Sequence, residues 1–187
     1  MRKLELNKAL EVLNNQKILL YPTDTVWGIG CDATSEIAVA KVFEIKQRSE
    51  SKSLIILVDG TEMLQKYIPT ISKDILRLLS KTTKPTTIIY NNPIGLAKNV
   101  VASDNTVAVR IVQNDFCKEL IQQFGKPIVS TSANISGNTT PKCFKEIESP
   151  ILDSVDYIVN LHREVVNDKS STILKVADNG ELIVLRD

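Results

Sequence analysis

Apolar residues recur along the chain with two different spacings, and polar loops separate the segments. Leu6, Leu10 and Leu13 have the spacing of one helix face, whereas the unbroken apolar run 54–58 is typical of a buried strand. The predicted helices are 3–15, 36–46, about 61–67, about 72–81, 115–124 and a weak one near 142–148. The predicted strands are 18–21, 54–58, 86–90, 107–112, 127–130, 157–161, 172–176 and 182–185.

The order of these elements favours one class of fold. Helices and strands interleave without strict alternation, which indicates an α/β fold with a mixed sheet rather than a regular Rossmann unit. Ser35 is a suitable N-cap for the helix 36–46, and Gly125 ends the helix 115–124. The length of 187 residues suits a single domain over residues 1–187. The connecting polar loops are predicted at 22–34, 91–105 and 131–141.

Composition and charge exclude several classes of protein. Lys and Arg total 23 and Asp and Glu total 22, so the net charge is +1, and neither half of the chain is strongly basic. A protein whose main task is to hold a nucleic-acid backbone needs an excess of cations, so this balance argues against that class. No apolar run reaches the length of a membrane span, and the first residues lack the apolar stretch of a signal peptide.

The residues that most often bind metals are scarce. His162 is the only histidine, and Cys31, Cys117 and Cys143 lie far apart with no C-x-x-C pair. This pattern argues against His-rich metal sites, zinc ribbons and disulfide frameworks, and isolated thiols suit a reducing cytosol. We therefore expect a cytoplasmic protein that makes no contact with a membrane. Glycine is also scarce, at 7 residues.

The first polar cluster, Pro22–Gly30, follows the strand predicted at 18–21. Ligand sites in open α/β sheets lie beyond strand ends, and an extended loop would point the alternating hydroxyls of Thr23 and Thr25 the same way. The alternative is a turn that begins at the proline and leaves both hydroxyls in water. The glycines of this cluster also match the dinucleotide fingerprint, but six residues separate them from the strand where that fingerprint should begin.

The second cluster consists of Lys46, Arg48 and Lys52. If the helix ends near Ile45 and the chain then extends, the first two cations share one face and suit a polyphosphate. The alternative is that they complement the helix macrodipole, as cations in a last turn commonly do.

The third cluster, residues 130–137, follows the strand at 127–130. Ser130, Ser132 and Asn134 alternate and would present two hydroxyls and an amide on one side. No base is adjacent, so these donors favour binding of an anion over nucleophilic catalysis. A polar capping loop without a ligand is the alternative.

Read in order, these clusters resemble the motifs of a known family. The sequence contains P-T-D-T-V-x-G-x-G, then I-K-x-R, then V-A-V-R ending at Arg110, then S-T-S-A-N-x-S-G. A late S-T-I begins at Ser171, and L-R ends at Arg186. This ordered set, spanning Tyr21 to Arg186, is similar to that of the YrdC/Sua5 family of L-threonylcarbamoyladenylate synthases.

The resemblance implies a fold and a reaction. The fold is a single-domain, twisted, open mixed α/β sheet with flanking helices and a polar face, and no additional C-terminal Sua5 domain is expected. The reaction makes threonylcarbamoyl-AMP and pyrophosphate from L-threonine, bicarbonate and ATP with Mg²⁺. A separate transferase complex then modifies adenosine 37 of tRNA, and any tRNA contact by the synthase itself would be weak.

The resemblance also assigns roles to residues, with Lys46 and Arg48 as the catalytic, phosphate-binding pair. Mg²⁺ would be held by the ATP phosphates and water rather than by side chains. The implied threonine ligands are Thr25, Arg110, Ser130 and Ser171, with Arg110 pairing the substrate carboxylate through a bidentate fork. The implied ATP ligands are Lys46, Arg48, Lys52, Thr106, Ser132, Asn134, Thr140 and Arg186.

Some motif positions differ from the family pattern, mostly by loss of Gly or Pro. Ser49 and Ser53 stand where proline is usual, and no Gly-Gly pair precedes Ser171. Two alternatives therefore stay open: a divergent paralogue of the YciO-like branch, and a non-catalytic module that binds RNA or the ribosome.

Overall fold

The structure, a computed structural model, describes residues 1–49, 54–177 and 179–187. The helices are α1 (Arg2–Asn14), α2 (Glu36–Lys46), α3 (Thr61–Tyr67), α4 (Lys73–Lys81), α5 (Asp115–Phe124) and α6 (Ser149–Leu152). The strands are β1 (Leu19–Tyr21), β2 (Gly28–Gly30), β3 (Ile55–Val58), β4 (Thr86–Asn91), β5 (Thr106–Ile111), β6 (Ile128–Ser132), β7 (Tyr157–Ile158), β8 (Thr172–Val176) and β9 (Leu182–Arg186). Single 3-10 turns occur at Lys98–Val100 and Phe144–Glu146.

The strands form one mixed sheet. Within the described residues its order is β7-β1-β2-β6-β3-β5-β4-β8-β9. The sheet contains parallel pairs, such as β3 with β5 and β4 with β8, and antiparallel pairs, such as β2 with β6 and β4 with β5. This architecture confirms the predicted α/β fold with an open mixed sheet and flanking helices.

The two faces of the central strands have different roles. Ile88 and Val109 are register partners on β4 and β5, and both are buried in the core. Helices α1, α2 and α5 supply buried residues to that same core. The alternate positions, including Thr87 and Arg110, project from the opposite face because side chains alternate along a strand. The polar site is built on this second face.

Capping confirms two predicted helix boundaries. The Ser35 hydroxyl accepts a hydrogen bond from the Ala38 N–H at 3.3 Å, where α2 begins. Gly125 takes a left-handed conformation, with φ of 75°, directly after α5. The local sequence was sufficient to predict these two helix boundaries, because a capping residue acts within one helical turn.

The predicted loop 22–34 is wrong in one part, because it contains β2. This strand pairs with β1 on one side and with β6 on the other. Its sequence, Gly28-Ile29-Gly30, has little intrinsic strand preference, so the tertiary pairing determines its conformation. Because both glycines belong to a strand, they do not form the loop that a dinucleotide fingerprint requires.

Other boundaries differ more modestly. The weak helix predicted near 142–148 is a 3-10 turn followed by α6, and the loop 91–105 contains the other 3-10 turn. Strand β6 extends through Ser132, two residues into the predicted loop 131–141, because its last residues pair with β2. The strand predicted at 157–161 is reduced to the two residues of β7 that pair with β1.

Gly30 is required by close packing, which gives a testable prediction. A Cβ atom at this position would lie 2.6 Å from Cε1 of Tyr21 and would overlap the carbonyl oxygen of Val129. We expect Gly30→Ala to lower the free energy of unfolding by about 2 kcal/mol or more, as overpacked cores do. Urea denaturation followed by circular dichroism measures this change.

Gly60→Ala is the matched control. A Cβ atom there meets nothing within 4 Å, and the backbone is extended, so the loss of stability should be smaller, about 1 kcal/mol at most, and should come from the weaker N-cap that alanine gives α3. Equal stability of the two variants would contradict the proposed close approach of β2 to β6.

Candidate active site

A cavity of about 470 Å³, lined by both polar and apolar side chains, lies on the open face of the sheet. The first polar cluster, which follows β1, contributes Thr25, Val26 and Trp27 to the lining, and much of the rest comes from residues within strands. The cavity brings together eight of the predicted site residues: Thr25, Arg48, Arg110, Ser130, Ser132, Thr140, Ser171 and Arg186.

The pairing register of β6, β3 and β5 positions the residues at the base of this cavity. Ser130 on β6 lies opposite Ile55 on β3, which in turn lies opposite Ala108 on β5. Gly28 lies beside this row, and a Cβ atom there would come within 3.0 Å of the Ser130 hydroxyl. The missing side chain therefore leaves room around that hydroxyl.

A buried ion pair joins the first polar cluster to β5. Arg110 Nη2 lies 3.0 Å from Asp24 Oδ1, and the two side chains are only 4% and 7% exposed. The backbone N–H of Gln113 also donates to Asp24 Oδ2, at 3.1 Å. One edge of the guanidinium is therefore occupied by the protein, while Arg110 Nε is buried with no hydrogen-bond partner among the described residues.

The hydroxyls of Thr23 and Thr25 are 3.0 Å apart, as the alternating sequence predicted, although the loop is bent rather than extended. Thr23 donates its only proton to the carbonyl of Val26 at 2.7 Å. Thr25 must therefore be the donor in the contact between the two hydroxyls. Its remaining lone pairs can only accept, so a ligand group facing Thr25 must be a donor.

Ser171 is held from two directions. Its hydroxyl lies 2.8 Å from the hydroxyl of Thr87, a fully buried residue on β4. Arg186 on β9 donates to the Ser171 carbonyl through Nη2 at 2.8 Å and through Nε at 3.2 Å. The predicted ATP ligand Arg186 thus contacts a predicted threonine ligand.

Lys46 differs from its predicted arrangement. Helix α2 continues through Lys46, and Gln47 then turns into a left-handed conformation, so the chain does not extend past Ile45. The ammonium of Lys46 donates to the carbonyls of Ser132 at 2.5 Å and Asn134 at 2.7 Å. The side chain is buried and does not line the cavity, whereas Arg48 does.

Burial changes the titration of Lys46. Desolvation, and to a lesser degree the charge of Arg48, lower its pKa from 10.5 to about 8. The two carbonyls hold two of the three ammonium hydrogens and leave the third for another partner. Lys52, the third predicted cation of this cluster, lies outside the described residues.

Asn134 does not share a side with Ser130 and Ser132, so the predicted alternation is wrong at this point. Strand β6 ends at Ser132, and Asn134 turns away to line an adjoining cavity of about 480 Å³. Its side-chain N–H group donates to the carbonyls of Ile135 and Asn138, and its Oδ1 is buried without a partner among the described residues. Thr140 lines both cavities and joins them.

Thr106 lies at the start of β5, outside the lining of either cavity. Its hydroxyl donates to Asp104 at 2.7 Å.

Sequence reasoning missed several lining residues. Trp27 is not one of them, because it belongs to the first polar cluster, and it packs against Phe144 with ring centroids 5.0 Å apart. Asp168 and Lys169 were missed, and they lie on the segment that precedes β8. The polar run before Ser171 was a usable signal for that segment. Thr87 offered no signal, because its role depends on the pairing of β4 with β8.

The described residues contain no group of three or more His, Cys, Asp or Glu side chains arranged to hold a metal. None of the helices in the described part of the chain has the length and hydropathy needed to cross a bilayer. Cys31 and Cys117 are buried, and burial raises the pKa of both thiols far above their usual range. These two thiols are therefore inert at neutral pH.

Comparison with known sequences identifies the family. The family model Sua5_yciO_yrdC, described as "Telomere recombination", matches residues 11–187. The chain belongs to the Sua5/YciO/YrdC family. The threonylcarbamoyl-AMP synthase of Escherichia coli strain K12 is 38% identical over 138 residues, which cover 72% of this chain and 72% of that protein.

Members of the Sua5/YciO/YrdC family with solved structures share the fold. P. abyssi Sua5 complexed with L-threonine has a TM-score of 0.87 at 24% identity, and the match covers 100% of this chain and 54% of that one. This chain thus spans about half the length of that Sua5. E. coli YciO has a TM-score of 0.84 at 22% identity and is covered over 90% of its length. At these identities the likeness concerns the fold alone.

The lowered pKa of Lys46 predicts how its contribution to stability depends on pH. Between about pH 8 and 10.5 the folded state releases the Lys46 proton while the unfolded state retains it, so the free energy of unfolding rises with pH. Wild type should therefore gain stability relative to Lys46→Met from pH 7 to pH 10, by about 1 kcal/mol or more. Urea midpoints of both proteins at each pH measure the difference.

Lys41→Met is the control for this comparison, because Lys41 is exposed on the same helix. Its stability difference from wild type should stay constant with pH. A Lys46 difference that is equally constant would show that the ammonium is not desolvated.

Proposed function

We propose that this protein is a threonylcarbamoyl-AMP synthase, which converts L-threonine, bicarbonate and ATP into threonylcarbamoyl-AMP, pyrophosphate and water. The observation that carries the proposal is the convergence of Arg48, Arg110 and Arg186 with four serines in one cavity. The identity to the E. coli synthase supports it. Such a site offers charge neutralisation and oriented donors, as adenylyl transfer requires.

In this proposal one part of the cavity binds threonine. The unpartnered Nε of Arg110 and the edge of its guanidinium bind the substrate carboxylate, while Asp24 keeps the other edge occupied. Thr25 accepts from the ammonium or the hydroxyl of threonine, because its own proton is already used. Ser130 and Ser171 complete this part.

The other part binds ATP, with magnesium entering as the counterion of its phosphates. Arg48 lies in the lining with Ser132, Thr140 and Arg186, and Lys46 offers its third N–H from behind the loop 132–136. The unpartnered Oδ1 of Asn134 suits a donor group of the nucleotide in the adjoining cavity. Lys52, which lies outside the described residues, and Thr106, which lines neither cavity, stay predictions from the family motif.

The residue types suit the chemistry. Bicarbonate takes up the proton that the threonine ammonium loses and gives CO₂ and water. The neutral amine then adds to CO₂ and releases a proton to give a carbamate, whose oxygen attacks the α-phosphorus while pyrophosphate leaves. Each step needs charge stabilisation and alignment more than proton transfer by a side chain. Exclusion of water protects the carbamate and the mixed anhydride from hydrolysis. A site with three arginines and no histidine can therefore perform the reaction.

The product would serve a separate transferase complex that modifies adenosine 37 of tRNA, which puts the enzyme in the cytoplasm. The near-neutral charge leaves tRNA binding to that complex, with weak contact at most by this chain. The likeness to YciO is a likeness of fold, and the assay below also separates a synthase from that branch.

The first test is direct detection of the product. Purified protein incubated with ATP, Mg²⁺, L-threonine and bicarbonate should form threonylcarbamoyl-AMP, detected by mass spectrometry, with one pyrophosphate released per product. Omission of threonine should abolish both signals. Pyrophosphate release that does not depend on threonine would exclude the synthase.

A second test separates the two parts of the cavity. Arg48→Ala should raise KM for ATP about tenfold with little change in KM for threonine, because one charge-assisted contact to phosphate is lost. Arg110→Lys keeps the charge but loses the fork, so it should raise KM for threonine instead. Steady-state kinetics on both substrates measures the split.

Arg77→Ala is the control, since Arg77 is exposed and pairs with Asp74 on α4. It should leave both constants unchanged. If Arg48→Ala and Arg110→Lys affect the same substrate, the division of the cavity proposed here is wrong.

A further inference from the structure

A short segment, residues 167–171, lies along the cavity and is fixed at both ends. At its start the backbone N–H of Asn167 donates to the carbonyl of Lys142 at 2.8 Å, and the Asn167 side chain accepts from the N–H of Lys169 at 3.2 Å. At its end Ser171 is held by Thr87 and Arg186. The three residues between these anchors all line the cavity.

Lys169 is the cation at the centre of this anchored segment. Its side chain is exposed, and its ammonium makes no hydrogen bond or ion pair with any other described residue. Its backbone, in contrast, is tied to Asn167. The structure therefore presents a mobile charge from a fixed position at the cavity.

Other cations of the site are already engaged. Arg110 is paired with Asp24, two hydrogens of Lys46 are held by carbonyls, and Arg186 donates to Ser171. A triphosphate brings several negative charges, and magnesium offsets only part of them. An additional cation with uncommitted donors is what such a ligand requires.

We propose that Lys169 binds the phosphates of ATP and of the leaving pyrophosphate. This inference rests on the synthase proposal and adds a residue that belongs to none of the family motifs in the chain. An ammonium on a flexible stem suits the role, because it can follow the phosphates as pyrophosphate departs. Asp168, the neighbouring acid in the lining, should oppose the same ligand.

The test is a set of binding titrations by calorimetry at low salt. The protein variants are wild type, Lys169→Gln, Lys169→Arg, Asp168→Asn and Lys118→Gln, and the probes are Mg-ATP, inorganic pyrophosphate and adenosine. Lys118 is an exposed lysine on α5, outside the cavity lining and the anchored segment, and its substitution changes the net charge by the same amount as Lys169→Gln. It therefore controls for the general field of the protein.

We expect Lys169→Gln to weaken ATP and pyrophosphate binding about tenfold, and Lys169→Arg to retain most of it. Asp168→Asn should strengthen both, and adenosine should bind alike to every variant. Unchanged ATP binding in Lys169→Gln would overturn the inference. An equal effect of Lys118→Gln, or an equal loss of adenosine binding, would also overturn it.

The result for wild type distinguishes this inference from the proposed function. If wild type binds ATP and makes product while Lys169→Gln behaves identically, only the role of Lys169 is wrong. If wild type binds no ATP, the synthase proposal and this inference fail together.

Discussion

The close approach of β2 to β6 is the contact on which the rest of the molecule depends. It joins the hairpin of β1 and β2 to the larger part of the sheet, and no other strand pair makes this connection among the described residues. The approach is possible because Gly30 leaves its side-chain space to the ring of Tyr21, whose hydroxyl donates to the Val129 carbonyl at 3.0 Å. The same pairing brings the first polar cluster beside Ser130. The absence of a side chain at Gly30 thus allows the strand pairing that positions both the sheet and the cavity.

The cations of the site differ in how deeply they are buried and in what they contact. Charges that serve structure are buried and matched, as in the pair of Asp24 with Arg110 and the contacts of Lys46 with two carbonyls. An unmatched buried charge costs several kcal/mol, so these partners make the burial tolerable. Other cations, Arg48 and Lys169 among them, line the cavity, where an anionic ligand can reach them. The cavity therefore carries positive potential, and repulsion between Arg48 and Lys46 is one cause of the lowered pKa of Lys46.

Much of the fold could be predicted from the sequence, because apolar spacing and caps act locally. Helix α2 and the end of α5 at Gly125 follow directly from such signals. Strand β2 could not, since its conformation comes from partners far along the chain. The ordered motifs indicated which side chains meet in the cavity, but not that Asp24 occupies part of Arg110 or that Asn134 turns into an adjoining cavity. Those arrangements depend on where β6 ends and on how the first loop bends.

The hydrogen bonds from Arg186 to the Ser171 carbonyl connect the edge of the sheet to the cavity. Strand β9 is an outer strand, and Ile183, Val184 and Leu185 are largely exposed, so little burial opposes its fraying. When β9 separates, Ser171 loses the guanidinium that fixes its carbonyl. Occupancy of the cavity and closure of this edge are therefore thermodynamically linked: a ligand that needs Ser171 in place also lowers the population of frayed molecules.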